Sequence, residues 1–399
     1  MESMGAHEPS TLTDLPLELL LIISESLSPI DVACLSLSSR KLQVLFRENE
    51  TELLKAQPGE TWLPKAIPIH GGIWNDDRAA FLLRLSLDVP PYFFCYTCSH
   101  LHPWEMVGPR GPAFQPRNRL RCQGRGLTLM TLFDLCTYYN FDFFHVQLAM
   151  RGFFYGPRFG ISTKSLSYTE VRLSPSQPVT TLLSVQAGIC PDTPSLYMWI
   201  QHLISVTRSN AAELLLGTRD IMVCNHIIRD SSVWGGPDVA DFVSHCLEAY
   251  RSGAMAAPEL KRCRYCNIDF KFDIKEYGDD GLALVITRWV DLGSGITPDG
   301  TRWNCHLPLC YDKMLGAPDL LGDSRNVFEN LPGESEEELL SRNISYLSSG
   351  KYKAVMGRFN KTTWFLQAES RVPRSLFSRS LAEGYRAILA LSVSEETRP

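Results

Sequence analysis

The stretch that decides the N-terminal fold is "LPLELLLIISESLSPID", Leu15 to Asp31. Pro16 suits the first position of a helix, because its missing N–H would have no helical partner there. At about 100° per residue the apolar side chains fall on two stripes, whereas a surface helix needs only one. One stripe holds Leu19, Leu20, Ile23 and Leu27, and the other holds Leu17 and Leu21. The segment therefore predicts a helix that lies deep in a core or presses against a partner.

The same stretch ends one helix and begins another. Ser28 is a good N-cap, Pro29 fits the first helical position, and Asp31 stands where the acid of a capping box would stand. The following segment, "IDVACLSLS", predicts a second helix with Val32 and Leu35 turned inward.

A serine pair then marks the start of a third helix through "RKLQVLF", capped by Ser38 or Ser39. Three short helices in about forty residues cannot bury this much leucine among themselves. Two interpretations follow: the helices are the first part of a larger helical domain, or they form a docking module with a partner.

Residues 12 to 50 resemble an F-box. The residues that carry the resemblance are Leu15, Pro16, Leu19, Leu20, Ile23, Leu27, Ser28, Pro29, Asp31, Val32, Leu35 and the segment 38–42. The third helix of that family often has Trp where this chain has Leu42. The resemblance implies docking onto the Skp-type adaptor of a cullin–RING ubiquitin ligase. The residues predicted to bind that partner are Leu15, Pro16, Leu17, Leu19, Leu20, Leu21, Ile23, Leu27, Pro29, Val32 and Leu35.

The composition is that of an ordinary globular protein. The chain has 399 residues, of which 44% are hydrophobic and 21% charged, with a formal net charge of −5. This mild acidity gives no electrostatic reason to expect nucleic acid, and no stretch of about 20 uncharged apolar residues predicts a membrane span. The acids Glu2, Glu8 and Asp14 stand where a signal peptide carries positive charge. We therefore expect a cytoplasmic or nuclear protein whose twelve cysteines are thiols or metal ligands.

The rest of the chain predicts an α+β protein in five parts. These are a disordered start (1–11), the F-box (12–50), a helical and irregular connector (51–89), an α+β body (90–390) and a disordered tail (391–399). Helices are predicted at "DDRAAFLLRLSLD", at "ADFVSHCLEAYRSG" and after the capping box of Ser335 and Glu338. Strands are predicted at "FFHVQLAMRGFFYG", "YTEVRLS", "LYMWIQHLISV" and "DIMVCNHI", with a hairpin at "DFKFDIKEYGDDGLALVITRWVDLG" that turns at 278–281.

The segment "CYTCSHLHP" brings candidate metal ligands together. Cys95 and Cys98 have the Cys-x2-Cys spacing that lets two thiolates approach one tetrahedral ion. His102 and the downstream Cys122 would complete a set of three thiolates and one imidazole.

A second candidate set is split along the chain. Cys224 and His226 come from "VCNHI", and Cys263 and Cys266 come from "RCRYCN". The alternative for both sets is that the cysteines are small buried hydrophobic residues. If either set binds a metal, zinc is the expected ion. The six cysteines outside both sets are interpreted as packing residues. They are Cys34, Cys136, Cys190, Cys246 and the pair Cys305 and Cys310, which has His306 between its members.

The body carries a resemblance of its own, over about residues 90 to 310. "FFCYTCSHLHPW", "GPAFQPR", "YGPRFGIS", "CRYCNIDFKFDI" and "TRWVDLG" are similar to the body of an F-box-containing family abundant in filamentous ascomycete fungi. That family's body has no assigned activity, so the resemblance implies no substrate. The family's histidine after the second cysteine pair is missing here, and "VCNHI" stands in place of Cys-Pro-His.

The sequence favours a binding protein over an enzyme. It has no phosphate-binding G-x-x-x-x-G-K-[ST], no dinucleotide G-x-G-x-x-G, no H-E-x-x-H and no G-x-S-x-G. The predicted function is a substrate-recognition adaptor of a Skp–cullin–F-box ubiquitin ligase, with an unknown protein substrate. The alternatives are a zinc-stabilised regulatory or scaffold protein that binds the Skp-type adaptor without promoting degradation, and an unrecognised enzyme.

Overall fold

The computed structural model describes fourteen stretches of the chain and a single residue, 139. The stretches are 12–55, 77–96, 98–104, 141–173, 180–207, 223–224, 226–227, 239–253, 258–263, 265–266, 268–277, 281–298, 300–306 and 323–348. Several predictions fall outside these residues: the disordered ends, the hairpin turn at 278–280, and the candidate ligand Cys122.

Three helices follow a short 3-10 turn at the N-terminus, as the sequence predicts. The turn is Leu12–Asp14, and the helices are α1 (Leu17–Glu25), α2 (Pro29–Ser38) and α3 (Arg40–Lys55). The Ser28 hydroxyl accepts a hydrogen bond from the Asp31 N–H at 3.2 Å, which confirms the cap of α2. Ser39 caps α3, because its hydroxyl accepts from the Leu42 N–H at 3.2 Å. The backbone of α3 is kinked at Phe46.

The three helices share a small core of their own. Leu20, Val32, Leu42 and Phe46 are buried together, one or two from each helix. These side chains anchor the helices to each other, and the other leucines of α1 remain for other contacts.

Helix α4 (Asp77–Asp88) joins this N-terminal unit to the rest of the protein. Ala33 of α2 and Phe81 of α4 are both fully buried in the main core. Asp31 pairs with Arg84 on one side of α4. On the other side, the buried guanidinium of Arg151 donates to the Ser86 carbonyl at 2.6 Å. The N-terminal helices are therefore packed onto the body through α4.

Within the described residues the body is built on one six-stranded antiparallel sheet and a separate two-stranded ribbon. The ribbon pairs β1 (Tyr92–Cys95) with β2 (His100–Pro103). The sheet has the order β3-β4-β5-β8-β7-β6. Its strands are β3 (Tyr168–Leu173), β4 (Thr180–Cys190), β5 (Ser195–Thr207), β6 (Lys261–Arg262), β7 (Ile268–Tyr277) and β8 (Gly281–Asp291).

Helices cover both faces of the central strands, so β5 and β8 are buried along almost their whole length. The helices of the body are α5 (Phe143–Tyr155), α6 (Thr163–Leu166), α7 (Val239–Arg251), α8 (Thr301–Asn304), α9 (Ser324–Glu329) and α10 (Glu336–Ser348). One face, which includes Ile200 and Ile204, packs against α5 and α7 in the main core. The opposite face packs Leu203 against Leu347 of α10. The fold is α+β, as predicted.

The segment "FFHVQLAMRGFFYG", predicted to be a strand, is helix α5. Nine consecutive residues from Phe143 to Arg151 are buried, so the sequence shows no helical period on one face. The residues that mark the start of α5 are also unusual. The Asp142 N–H donates to His145 Nδ1 at 2.9 Å, so histidine fills the place that Glu or Gln takes in a capping box.

The other sequence predictions for the body agree with the structure in most places. The hairpin of β7 and β8 is confirmed, with Phe270, Phe272 and Ile274 buried on one face. Ser335 and Glu338 form the predicted capping box. In "DIMVCNHI" the described residues form only an isolated bridge between Cys224 and Ile227, and not a strand. Among the described residues, no helix is long and apolar enough to cross a bilayer.

Candidate docking surface and metal centres

Helix α1 exposes four large apolar side chains to solvent. The exposed fractions are 49% for Leu17, 46% for Leu19, 43% for Leu21 and 58% for Ile22. We call these four residues the α1 surface. Singly exposed apolar residues are common, but four half-exposed large apolar side chains on a nine-residue helix leave apolar area on more than one side of it for a partner.

The residues predicted to bind a partner divide into three groups by exposure. Leu20 and Val32 are buried in the core of the three helices and so are not part of the exposed surface. Leu15, Ile23 and Leu35 are half-buried, and Leu15 and Leu35 pack against that core. The remaining predicted residues, Pro16, Leu17, Leu19, Leu21, Leu27 and Pro29, are exposed.

Sequence analysis missed Ile22, which is the most exposed apolar residue of α1. On the helical wheel Ile22 falls beside Glu18 and Glu25, on the side taken to be polar. The signal that would have found it is the low number of charges: two acids cannot cover the solvent side of a nine-residue helix.

The structure brings the four split candidates for a metal together. One ligand atom each from Cys224, His226, Cys263 and Cys266 lies within 4.8 Å of the others, and we call this group the split cluster. All three sulfur atoms belong to buried residues, and His226 is 9% exposed. The cluster could hold a metal ion, because thiolates and imidazole in this number are a tetrahedral donor set.

Two turns present the four side chains. In the first, the Ile227 N–H donates to the Cys224 carbonyl at 3.2 Å, and the Val223 N–H donates to the Ile227 carbonyl at 3.1 Å. In the second, the Cys263 N–H donates to the Ile268 carbonyl at 3.1 Å. Each turn is thus closed by its own backbone bonds, which fixes the direction of the ligands it carries.

The thiols of the split cluster hydrogen-bond to one another. Hydrogen bonds from the Cys224 and Cys266 thiols to the Cys263 sulfur hold the pKa of Cys263 well below its usual range. Burial raises the pKa of Cys224 and of Cys266. The sulfur atoms therefore lie close to one another, as at a common binding centre, within the main hydrophobic core.

Three of the four residues predicted for the other centre also meet. Cys95, Cys98 and His102 lie within 4.8 Å of one another at the turn of the β1–β2 ribbon, and we call them the ribbon cluster. The Cys98 sulfur lies 3.0 Å from His102 Nε2. The fourth predicted member, Cys122, is outside the described residues, so this cluster stands as three ligands that could hold a metal ion.

The remaining described cysteines do not join either cluster. Cys34, Cys190 and Cys246 are half-buried, and Cys305 is buried in the main core. His306 is buried and lies 3.1 Å from the Asp291 carbonyl through its Nε2. Burial lowers the pKa of His306 to about 4, so its imidazole is neutral at pH 7. These positions agree with their interpretation as packing residues.

A family model for the F-box domain matches residues 12–51. The match coincides with the three N-terminal helices, and the chain therefore contains an F-box domain. Domains of this family generally bind Skp-type adaptors of cullin–RING ligases, and the proteins that carry them are typically adaptors and not enzymes. A search of curated proteins and a search of solved structures each found no match to the chain. The F-box thus supports a general role in ubiquitin-ligase adaptor function.

Proposed function

We propose that this protein is a substrate-recognition adaptor of a Skp–cullin–F-box ubiquitin ligase. In this function the F-box binds the Skp-type adaptor, and the α+β body holds a protein substrate. The ubiquitin transfer belongs to the ligase, and no residue of this chain takes part in the chemistry. The single observation that carries the proposal is the α1 surface, four half-exposed apolar side chains within a matched F-box domain.

The energetics of the α1 surface support a docking role. Its four side chains are each about half exposed, although the same helix buries Leu20 completely. The fold of the three helices therefore does not need the exposed leucines, and their apolar area is available to a partner. Half of a leucine or isoleucine side chain contributes about 1 kcal/mol when a partner buries it, at roughly 25 cal/mol per Å².

The packing of the F-box onto the body supports the adaptor role in a second way. Ala33 and Phe81 share the main core, and Asp31 and Arg151 hold α4 from its two sides. A substrate bound to the body would keep a fixed position relative to the Skp-type adaptor. Fixed positioning raises the effective concentration of the substrate near the activated ubiquitin, which is the whole contribution that an adaptor makes.

We also propose that the metal of the cysteine and histidine clusters is zinc, in a structural role. Thiolate and imidazole ligands favour zinc over magnesium and calcium, which prefer oxygen ligands. Nothing in the adaptor function requires an open coordination position for catalysis.

The proposal is tested by following the fate of proteins that the body captures. The double variant Leu17→Ala/Leu21→Ala should still capture them, because the changes lie on the F-box and not on the body. Their half-life should lengthen in cells that express this variant, since the captured proteins no longer reach the ligase. Leu87→Ala, a half-exposed leucine of α4, is the matched control and should leave the half-life unchanged. Equal half-lives with the wild-type chain and the double variant would favour the scaffold alternative.

This design avoids deleting the F-box. Removing residues 1–50 would strip Ala33 and its neighbours Ile30 and Cys34 from the main core, where they pack together with residues of the body. A deletion would therefore destabilise the body and mix loss of folding with loss of docking. The surface substitutions separate the two effects.

A further inference from the structure

We infer that the split cluster of Cys224, His226, Cys263 and Cys266 is a complete structural zinc site. The site would fasten the turn at 223–227 to the outer edge of the main sheet. The inference rests on the proposed identity of the metal and not on the adaptor function, since all four residues lie in the body.

The distances are those of a tetrahedral centre that needs little rearrangement. With zinc–sulfur bonds of about 2.3 Å, two sulfur ligands of one tetrahedral ion lie about 3.8 Å apart. The four ligand atoms already lie within 4.8 Å of one another. Shifts of about 1 Å or less, within the range of side-chain rotation, would complete the coordination.

The chemistry of the group also points to a closed site. Three sulfur ligands and one imidazole make up the four donors of a structural zinc centre, which leaves no position for water or substrate. Cys224, Cys263 and Cys266 are almost fully buried, as expected for a centre that solvent does not reach.

Local geometry holds the ligands in position. The Tyr265 N–H lies 3.5 Å from the Cys263 sulfur and donates to it, a bond that stabilises a thiolate ligand. The ring of Tyr265 packs on the ring of His226, with 5.1 Å between their centroids. Contacts to the ligand side chains from residues that do not bind the metal orient the ligands and fix their coordination geometry.

The short strand at the edge of the main sheet indicates the structural role of the zinc site. Strand β6 is two residues long and pairs with β7 only through Lys261 and Arg262. Arg262 of β6 also forms an ion pair with the buried Asp269 of β7 at 2.6 Å, which holds the edge strand to its neighbour in the sheet. A zinc ion would link this short edge to a segment 39 positions earlier in the chain, counted from Cys224 to Cys263. Cross-links that close long loops restrict the unfolded chain most.

The first test measures metal in the full-length chain purified without added chelator. Zinc binding would release the protons of the coordinating thiols to solvent, so the site should bind zinc more tightly at neutral pH than at acidic pH. We expect Cys263→Ser and Cys266→Ser each to lose about one equivalent of zinc relative to the wild-type chain. Cys246→Ser, a half-buried cysteine outside both clusters, is the matched control and should keep the wild-type zinc content. Cys98→Ser reports separately on the ribbon cluster and should leave this equivalent in place.

A second pair of variants separates ligation from packing. His226→Cys supplies another zinc ligand and should retain the metal, whereas His226→Ala should lose it. A packing role predicts no such difference in metal content. Hydrogen exchange should also speed up at 223–227 and 261–268 in the metal-free variants, with α1 to α3 unchanged.

A measurement on the wild-type chain covers the case in which the cysteine variants fail to fold. X-ray absorption spectroscopy at the zinc edge should show three sulfur ligands near 2.3 Å and one nitrogen ligand near 2.0 Å at this site. The inference is overturned if the wild-type chain carries no tightly bound metal, or if Cys263→Ser and Cys266→Ser keep the wild-type content. Binding of the Skp-type adaptor, measured on the same samples, should be unaffected, so failure of the zinc site and failure of the adaptor function can be told apart.

Discussion

The exposed leucines of α1 allow a quantitative prediction for binding to the Skp-type adaptor. Leu17 and Leu21 lie one helical turn apart, with exposed fractions of 49% and 43%. Each Leu→Ala change removes three carbons whose surface is about half available, which is about 1.2 kcal/mol per residue at roughly 0.8 kcal/mol per CH₂. The double variant should therefore lose about 2.4 kcal/mol of binding free energy, which corresponds to about 50-fold weaker affinity.

The assay is isothermal titration calorimetry of the full-length chain with the Skp-type adaptor, combined with circular dichroism of the free protein. Alanine is the best helix former, so the helical signal of the double variant should not fall. Leu20→Ala provides the contrast, because it removes a buried side chain and should lower the free energy of unfolding by about 2–5 kcal/mol. Wild-type affinity in a folded double variant would refute the role of the α1 surface.

Two further predictions concern the body and its junction with the F-box. A Cβ on Gly160 would lie 1.9 Å from a backbone carbonyl oxygen of α5, so Gly160→Ala should lower the free energy of unfolding by about 3 kcal/mol. Gly333→Ala meets no atom within 4 Å and should have almost no effect in the same denaturant titration. Ala33→Leu should overpack the junction and cost about 1–3 kcal/mol, with weaker protection of α4 in hydrogen exchange. Equal protection of α4 in that variant and the wild-type chain would mean that the junction is looser than its packing indicates.

The N-terminal part of the fold could be predicted well because its signals are local. Ser28 and Pro29 act within one turn of each other, and the structure shows the predicted cap. The same holds for the capping box of Ser335 and Glu338. Helix α5 could not be recognised, because its first nine residues are all buried and it has neither a polar face nor a common capping box. Its alternating His145, Val146, Gln147 and Leu148 imitated the period of a strand.

The candidate metal sites show where sequence spacing stops being informative. The two cysteine pairs predicted the ligand types, but only the fold could show that Cys224 and His226 meet Cys263 and Cys266. The ribbon cluster had the closer spacing in sequence, yet among the described residues the set of four is found in the split cluster, because Cys122 lies outside them. The exposure of Ile22 and the packing of Ala33 into the main core likewise depend on contacts between distant segments.

The order of strands in the main sheet has a consequence for synthesis of the chain. Strand β5 is buried over twelve of its thirteen residues. In the sheet it lies between β4, which directly precedes it in the chain, and β8. Residues 208–280, a stretch of 73, separate the end of β5 from the start of β8. At about 5–20 residues per second, the backbone N–H and C=O groups of β5 that pair with β8 wait for that partner for roughly 4–15 s. During that interval a chaperone that covers strand edges should protect the nascent chain, and a ribosome stalled before residue 281 should yield an aggregation-prone fragment.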